Sequence, residues 1–390
     1  MFVAKKELNR LLESASSQAP VVGLTHGFYR YPARFSPQFA RSAIEVFSKP
    51  MDTVMDPFMG GGTAAVEALS LGRRFVGSDL NPLSEFLTRT KTTPLSNRDE
   101  QTMLNWGTEL ARVASIQGWK NRDDEWRAYQ INTPWWIRRA IDLSLAAMGP
   151  LTNSRQRDFA RSAILKTAQW ALDCKDKIPS SPDFFQAMAA NIPDMLAGLR
   201  SFRAKLRDAF PDRPLKCHRY ARFVQCDAAS LAGQHEIPKH WLPPKLILTS
   251  PPYFGIHILY HRWQVLGRRE TAAPFWIASS KDGMGAAFYT LGSRQRLGMD
   301  HYLSRLRACF TAIACLMDKR STLVQLVAFR DPGEQLEPYL VTLEEAGLEE
   351  IGIAEQRGRF WRTVPNRKWY ANTCVRTPAS KELLLIHKRG

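Results

Sequence analysis

The sequence predicts an α/β protein: a mostly parallel sheet with helices on both faces, interrupted by an inserted helical segment. Three observations carry the prediction. A strand–turn–helix–strand unit lies between Thr53 and Pro82, amphipathic helical texture fills residues 91–222, and short apolar strand runs return after 222. Strands separated by helices pair in parallel, because the crossover carries the chain back over the sheet. With 390 residues, 44% of them hydrophobic, the chain can bury a large core. The expected division is 1–90, 91–222 and 223–390, with the outer parts sharing one sheet and the middle forming a basic helical domain.

In the first unit, TVMD (53–56) is a short apolar strand and DPFMGGGT (56–63) a glycine-rich turn. AAVEALSLG (64–72) is a helix stopped by Gly72, and RRFVGSD (73–79) a second strand ending in an acid. Gly60, Gly61 and Gly62 let the backbone turn tightly beside a ligand, and Thr63 is placed to cap the next helix. In the middle part, NWGTELARVASIQGW, RRAIDLSLAAM, RSAILKTAQWALDC and DMLAGLRSFRAKLRDAF have helical apolar spacing. Thr133-Pro134, ahead of Trp135-Trp136, reads as a cap and a first-turn proline. Six of the eleven tryptophans fall between 106 and 170, at spacings that suit core packing more than base stacking. Strands return at RFVQCD (222–227), KLILT (245–249), STLVQLVAF (321–329) and ELLLIH (382–387). A helix over DHYLSRLRACFTAIACLM precedes the third of these.

Two stretches carry chemistry. Asp79, at the end of the second strand, can accept both hydroxyls of a ribose. Glycines followed by an acid also serve nicotinamide enzymes, which keeps that alternative open. Asp56 argues for another ligand. A carboxylate aimed into a phosphate cradle repels it, whereas it accepts hydrogen bonds from an ammonium group, and an amino-acid-bearing nucleoside satisfies both acids. At KLILTSPPYF (245–254) a buried strand stops on Ser250-Pro251-Pro252-Tyr253. Neither proline can donate a ladder hydrogen bond, so the stretch ends a strand in any case. It also fixes a rigid carbonyl between a hydroxyl and an aromatic.

Together these stretches resemble the S-adenosylmethionine-dependent methyltransferases that modify exocyclic amino groups of DNA bases, of SPPY type. DPFMGGGT and VGSDLNP are similar to that family's cofactor motifs, and TSPPY to its catalytic motif. THGFYRYPARFSPQF (25–39) looks like its N-terminal cofactor segment, and RTVPNRKWYANTCVRTPASKELLLIHK (362–388) like its closing segment. The resemblance covers about 25–90 and 222–390, and DPF-x-G-x-GT followed by SPPY is specific where either alone is not. It implies a Rossmann-like sheet of class I methyltransferase type and S-adenosylmethionine as cofactor. The cofactor contacts it implies are Phe35, Asp56, Pro57, Phe58, Gly60, Gly62, Thr63, Asp79 and Asn81, with Asp227 accepting from the adenine amino group. His26, Phe28, Tyr29 and Tyr31 serve either that pocket or ordinary packing.

Ser250, Pro251, Pro252 and Tyr253 are the implied catalytic residues. A cytosine N4 or adenine N6 amine is a poor nucleophile, because its lone pair is delocalised into the ring. Acceptors on its hydrogens, here Ser250 and the Pro251 carbonyl, favour localising that pair, and Tyr253 would stack on the flipped-out base. Ser250 stands where Asp or Asn is common, which resembles the cytosine-N4 branch more than the adenine-N6 branch. The expected activity is site-specific DNA (cytosine-N4) methylation. An N6-adenine DNA methyltransferase, an RNA amino-methyltransferase and a catalytically silent DNA-binding relative stand as alternatives.

Charge points to the partner. The net charge is +17, of which residues 119–222 carry +8 and 355–390 carry +7. Such concentrations fit double-stranded DNA, whose counterions are released by Lys and Arg contacts. Arg357, Arg359, Arg362, Arg367 and Lys368 alternate with aromatics in the tail and are the expected nucleic-acid contacts. No apolar run approaches the ~20 residues of a membrane span. The six cysteines are scattered without metal-ligand spacing, so reduced thiols, no metal and a cytoplasmic, nucleoid-associated protein of a prokaryote or phage are expected. Whether a cognate restriction nuclease accompanies it is left open.

Overall fold

The computed structural model describes residues 5–17, 19, 21–32, 34–113, 125–211, 219–254, 262–267, 269–282, 291, 298–352, 359–363 and 381–390. Two helices come first, α1 (Lys5–Ser16) and α2 (Pro37–Phe47). The expected unit follows as β1 (Thr53–Asp56), α3 (Thr63–Ser70) and β2 (Arg74–Ser78). Five helices then run in series: α4 (Pro82–Thr92), α5 (Asn97–Val113), α6 (Trp135–Ala146), α7 (Ser154–Leu172) and α8 (Ser181–Ala209). The strands resume with β3 (Ala221–Val224) and β4 (Leu246–Thr249), a hairpin of β5 (Trp263–Val265) and β6 (Arg269–Thr271), and the short helix α9 (Ala273–Ala278). Last come α10 (Met299–Leu316), β7 (Thr322–Val327), α11 (Pro332–Glu345), β8 (Leu348–Glu350), β9 (Phe360–Thr363) and β10 (Lys381–Arg389).

The main sheet runs β3-β2-β1-β4-β7-β10-β8, with β9 also paired to β10. Strands β1, β2, β3, β4 and β7 pair in parallel, and β10 runs antiparallel to its neighbours. This is a mostly parallel, Rossmann-like sheet. Every residue of β1, β4 and β7 is buried, as strands covered on both faces require. The order reverses between β1 and β4. In open α/β sheets such a reversal leaves a crevice at the carboxyl ends of the strands, where ligands bind.

The middle helices share a buried cluster with parts of the chain on either side. Leu87, Met103, Ile141, Ile164, Phe184 and Leu196 pack together with Phe28, Tyr29 and Trp263. The helix α8 begins with a capping box, in which Ser180 and Asp183 satisfy each other's backbone amides.

Two expected caps are corrected. Thr63 is the first residue inside α3, and the cap is Gly62, held in the left-handed region at φ 73°. A Cβ on Gly62 would sit 2.5 Å from Thr88 Oγ1, so both backbone and space demand glycine. Thr133 does not cap α6 either, because its hydroxyl bonds Thr271 Oγ1 at 2.9 Å and ties that helix to the hairpin. The hairpin, β8 and β9 carry too few residues to stand out in the sequence.

Candidate active site

A cavity opens where the strand order reverses. Its walls come from the carboxyl ends of four parallel strands: Asp56 from β1, Asp79 beyond β2, Cys226 and Asp227 beyond β3, and Ser250 beyond β4. Strands that stop in register place these side chains in one row, although 194 residues separate Asp56 from Ser250 in the chain. The glycine-rich turn supplies Pro57, Phe58, Gly60 and Thr63, and the N-terminal segment supplies Tyr31, Arg34 and Phe35.

The acids are held in distinct ways. Asp79 accepts from the Gly60 amide at 2.8 Å and the Asn81 amide at 2.9 Å. These bonds fasten the glycine turn to the end of β2. Burial nonetheless pushes the Asp79 carboxyl above its ordinary value, against the pull of those amides. Asp56 is 2% exposed. It accepts from Thr249 Oγ1 at 2.7 Å and the Phe58 amide at 3.1 Å, yet burial raises its carboxyl to about 7. Such a carboxylate is short of positive charge, and a cation entering the cavity would supply it. Asp227 caps a short turn through the Ala229 amide and forms an ion pair with Arg305. Burial raises the Cys226 thiol to about 11, so the sulfur in the wall is a thiol and not a nucleophilic thiolate.

The turn is braced from behind by residues that sequence reading missed. Ser84 Oγ donates to the Gly60 carbonyl at 2.5 Å. Lys91, 1% exposed, donates to the Gly61 carbonyl at 2.6 Å, and burial drives its ammonium pKa well below the usual value. Of the aromatic segment near the N-terminus, Tyr31 and Phe35 reach the cavity, whereas Phe28 and Tyr29 pack in the core.

At the SPPY segment, Ser250 and Pro252 line the cavity and Pro251 and Tyr253 do not. Tyr253 was expected to stack on a base. It is 4% exposed, packed in the core, with its hydroxyl 2.6 Å from Ser250 Oγ and 3.1 Å from Glu382 Oε1. Ser250 Oγ donates to the Leu326 carbonyl at 2.8 Å, and Tyr302 donates to the Pro252 carbonyl at 2.9 Å. Glu382, in turn, is buried in an ion pair with Arg362. No local sequence signal marks Glu382, since it opens a strand whose other residues are the recognisable part.

Eleven of the fourteen expected cofactor and catalytic residues line this cavity; Gly62, Pro251 and Tyr253 stand behind it. The basic tail fares differently. Arg357, Arg367 and Lys368 lie outside the described residues. Arg359 pairs with Glu350 at the surface. Arg362, expected on the surface, is 5% exposed, because β9 turns it inward to meet Glu382 and the Ala15 carbonyl.

Comparison with known proteins agrees for the first part of the chain. Residues 4–85 match the DNA methylase family of N6 and N4 methyltransferases. The Type II methyltransferase M.MvaI of Kocuria varians is 45% identical over 75 residues, which are 18% of this chain and 16% of that protein. The Type II methyltransferase M.BsoBI of Geobacillus stearothermophilus is 35% identical over 68 residues, 17% of this chain and 13% of its own. The chain thus spans less than a fifth of the length of these relatives. Among solved structures, the rRNA methyltransferase aviRa from Streptomyces viridochromogenes aligns over 99% of this chain and 94% of its own, at 9% identity and a TM-score of 0.34. The fold assignment rests on the strand order described above. The resemblance to amino-methyltransferases stands on the motif segments, the family match over residues 4–85 and the two Type II methyltransferases.

Proposed function

We propose that the protein is an S-adenosylmethionine-dependent DNA methyltransferase acting on the exocyclic N4 amine of cytosine. The observation that carries this reading is the hydrogen-bond chain behind Ser250. Leu326 O and Glu382 can only accept, and two hydroxyls share two hydrogens among them. The carboxylate is the strongest acceptor and draws the Tyr253 hydrogen. The Ser250 hydrogen then points inward, to Tyr253 or to Leu326 O. What Ser250 offers the cavity is a lone pair, as an amine that must give up hydrogens requires.

The cavity suits the cofactor on its own chemistry. Asp79, fixed by two backbone amides, is an acceptor for ribose hydroxyls, and Asp56 is a buried carboxylate in want of a cation, the role of an amino-acid ammonium. Phe35 and Phe58 supply apolar walls, Gly60 and Thr63 the close backbone, and Asp227 and Asn81 polar edges. When bound, S-adenosylmethionine supplies an electrophilic methyl group on a sulfonium. The chain's own residues do the rest. Ser250 accepts one amine hydrogen, the diproline holds the Pro251 carbonyl for the other, and Tyr253 keeps Ser250 aimed. Forming the N–CH3 bond as the sulfonium–methyl bond breaks would leave the amine cationic, and its extra proton would be lost to water. Ser250 at the first position of the SPPY segment, which resembles the cytosine-N4 branch more than the adenine-N6 branch, supports cytosine as the base. The basic middle helices, residues 91–222, are read as the part that grips duplex DNA, with a companion nuclease as a further proposed partner.

The test is to digest DNA from cells expressing the protein to nucleosides and search for N4-methylcytosine by mass spectrometry, with Ser250→Ala as control. A peak lost in the variant supports both reaction and base. N6-methyladenine in its place would overturn the base, and absence of both would overturn the activity.

A further inference from the structure

Two tryptophans of the helical segment do not pack in the core. Trp135, the first residue of α6, is 62% exposed, and Trp170, near the end of α7, is 43% exposed. Both border one open groove of about 810 Å³, whose floor includes Trp136, anchored by its indole N–H on the Pro179 carbonyl at 2.9 Å. Lys175 and Lys177 line the same groove, and among the described residues no ion pair occupies either. Its one carboxylate, Asp183, is already taken by the hydroxyl and amide of Ser180 in the α8 capping box. Exposed indoles beside unneutralised ammonium groups make a surface that wants a flat, anionic partner.

The end of α7 that carries Trp170 is tied to the segment that leads into the cavity. Arg30, one residue before the cavity-lining Tyr31, bonds Gln169 and Asp173 at the end of α7, on either side of Trp170 in the chain. The backbone of Lys175 pairs with β5, the strand that follows the SPPY segment.

We propose that the Trp135–Trp170 groove holds unpaired nucleotides of the bound nucleic acid. The inference rests on the DNA methyltransferase reading and deepens it. An aromatic wall can take a base only once it is unpaired, because a duplex hides the faces of its bases. Every base has such a face, so the grip tolerates any sequence, while Lys175 and Lys177 reach the phosphates.

Fluorescence anisotropy with a labelled oligothymidylate of about 12 nucleotides, within the range one such site covers, tests the proposal on the whole protein. Trp135→Ala/Trp170→Ala is expected to weaken binding about 10-fold or more. S-adenosylmethionine affinity and the melting temperature should stay at the native values. Lys175→Gln/Lys177→Gln, a gentler change, should lower the salt dependence of the same binding. Native-like oligonucleotide affinity in the tryptophan variant would overturn the groove. So would a native dimer that the variant turns into a monomer, since the groove would then join two copies. If the native protein binds neither the oligonucleotide nor duplex DNA, the underlying reading fails instead. Duplex binding without oligonucleotide binding sinks the groove alone.

Discussion

The Tyr253 hydroxyl and the Glu382 carboxylate meet at 3.1 Å across 129 residues of sequence. Tyr253 follows β4 and Glu382 opens β10, and the pairing of β4 with β7 and of β7 with β10 brings the two together. Through Tyr253 a buried carboxylate orients the hydroxyl that faces the cavity.

Tyr253→Phe keeps the ring in its packed place and removes the link. The Ser250 hydrogen then keeps the Leu326 carbonyl as its one inward acceptor and turns outward more often, where it would meet an amine hydrogen. The loss of one hydrogen bond, roughly 1–2 kcal/mol, should slow single-turnover methyl transfer by about 5- to 30-fold. Cofactor and DNA affinity should hold, and a rate equal to the native one would remove Tyr253 from the chain.

Arg362→Met tests whether that residue serves the interior or the DNA. It leaves Glu382 buried without its cation, a change of about 3–5 kcal/mol. The melting temperature should drop by several degrees while the salt dependence of DNA binding stays the same. A stable variant with a flatter salt dependence would restore Arg362 to the phosphate contacts.

Asp56 gives a pH signature. Its carboxyl stands at about 7 when folded against 3.8 ordinarily, so the folded protein keeps a proton that the unfolded chain loses. The contribution of Asp56 to the stability of the free protein should therefore be full below pH ~4 and decline as pH rises to ~7, by up to ~4 kcal/mol. Cofactor affinity should run the opposite way, strengthening as Asp56 ionises toward pH ~7. Calorimetric titrations either side of neutrality measure this, and Asp56→Asn should bind weakly with no such dependence. A native affinity that ignores pH would remove Asp56 from the ammonium role.

Asp79→Ala should weaken cofactor binding by at least ~10-fold, since charge-assisted hydrogen bonds are worth about 1.5–3 kcal/mol each. Adenosine competition separates this site from Asp56. If Asp79 holds the ribose, adenosine loses affinity with the cofactor; if it loses none, the role belongs elsewhere.

The sequence by itself determined the first strand–turn–helix–strand unit. Strand β1, the glycine turn, α3 and β2 are local, and their residues are legible because turn chemistry and an acid at a strand end need only neighbours in the chain. The family resemblance implied that Asp56, Asp79 and Ser250 share one site, and the parallel strands place all three in one cavity by bringing their carboxyl ends together. Tertiary structure alone decided the supports: Glu382 behind Tyr253, Lys91 beneath Gly61, and Arg362 turned inward. These partners come from distant strands and helices, and burial is a property of the assembled fold that a charged residue does not announce in sequence. The same holds for Trp135 and Trp170, whose helical spacing suited a core and whose exposure was settled only when the helices packed, because an amphipathic pattern fixes which face is apolar and not whether another element covers it.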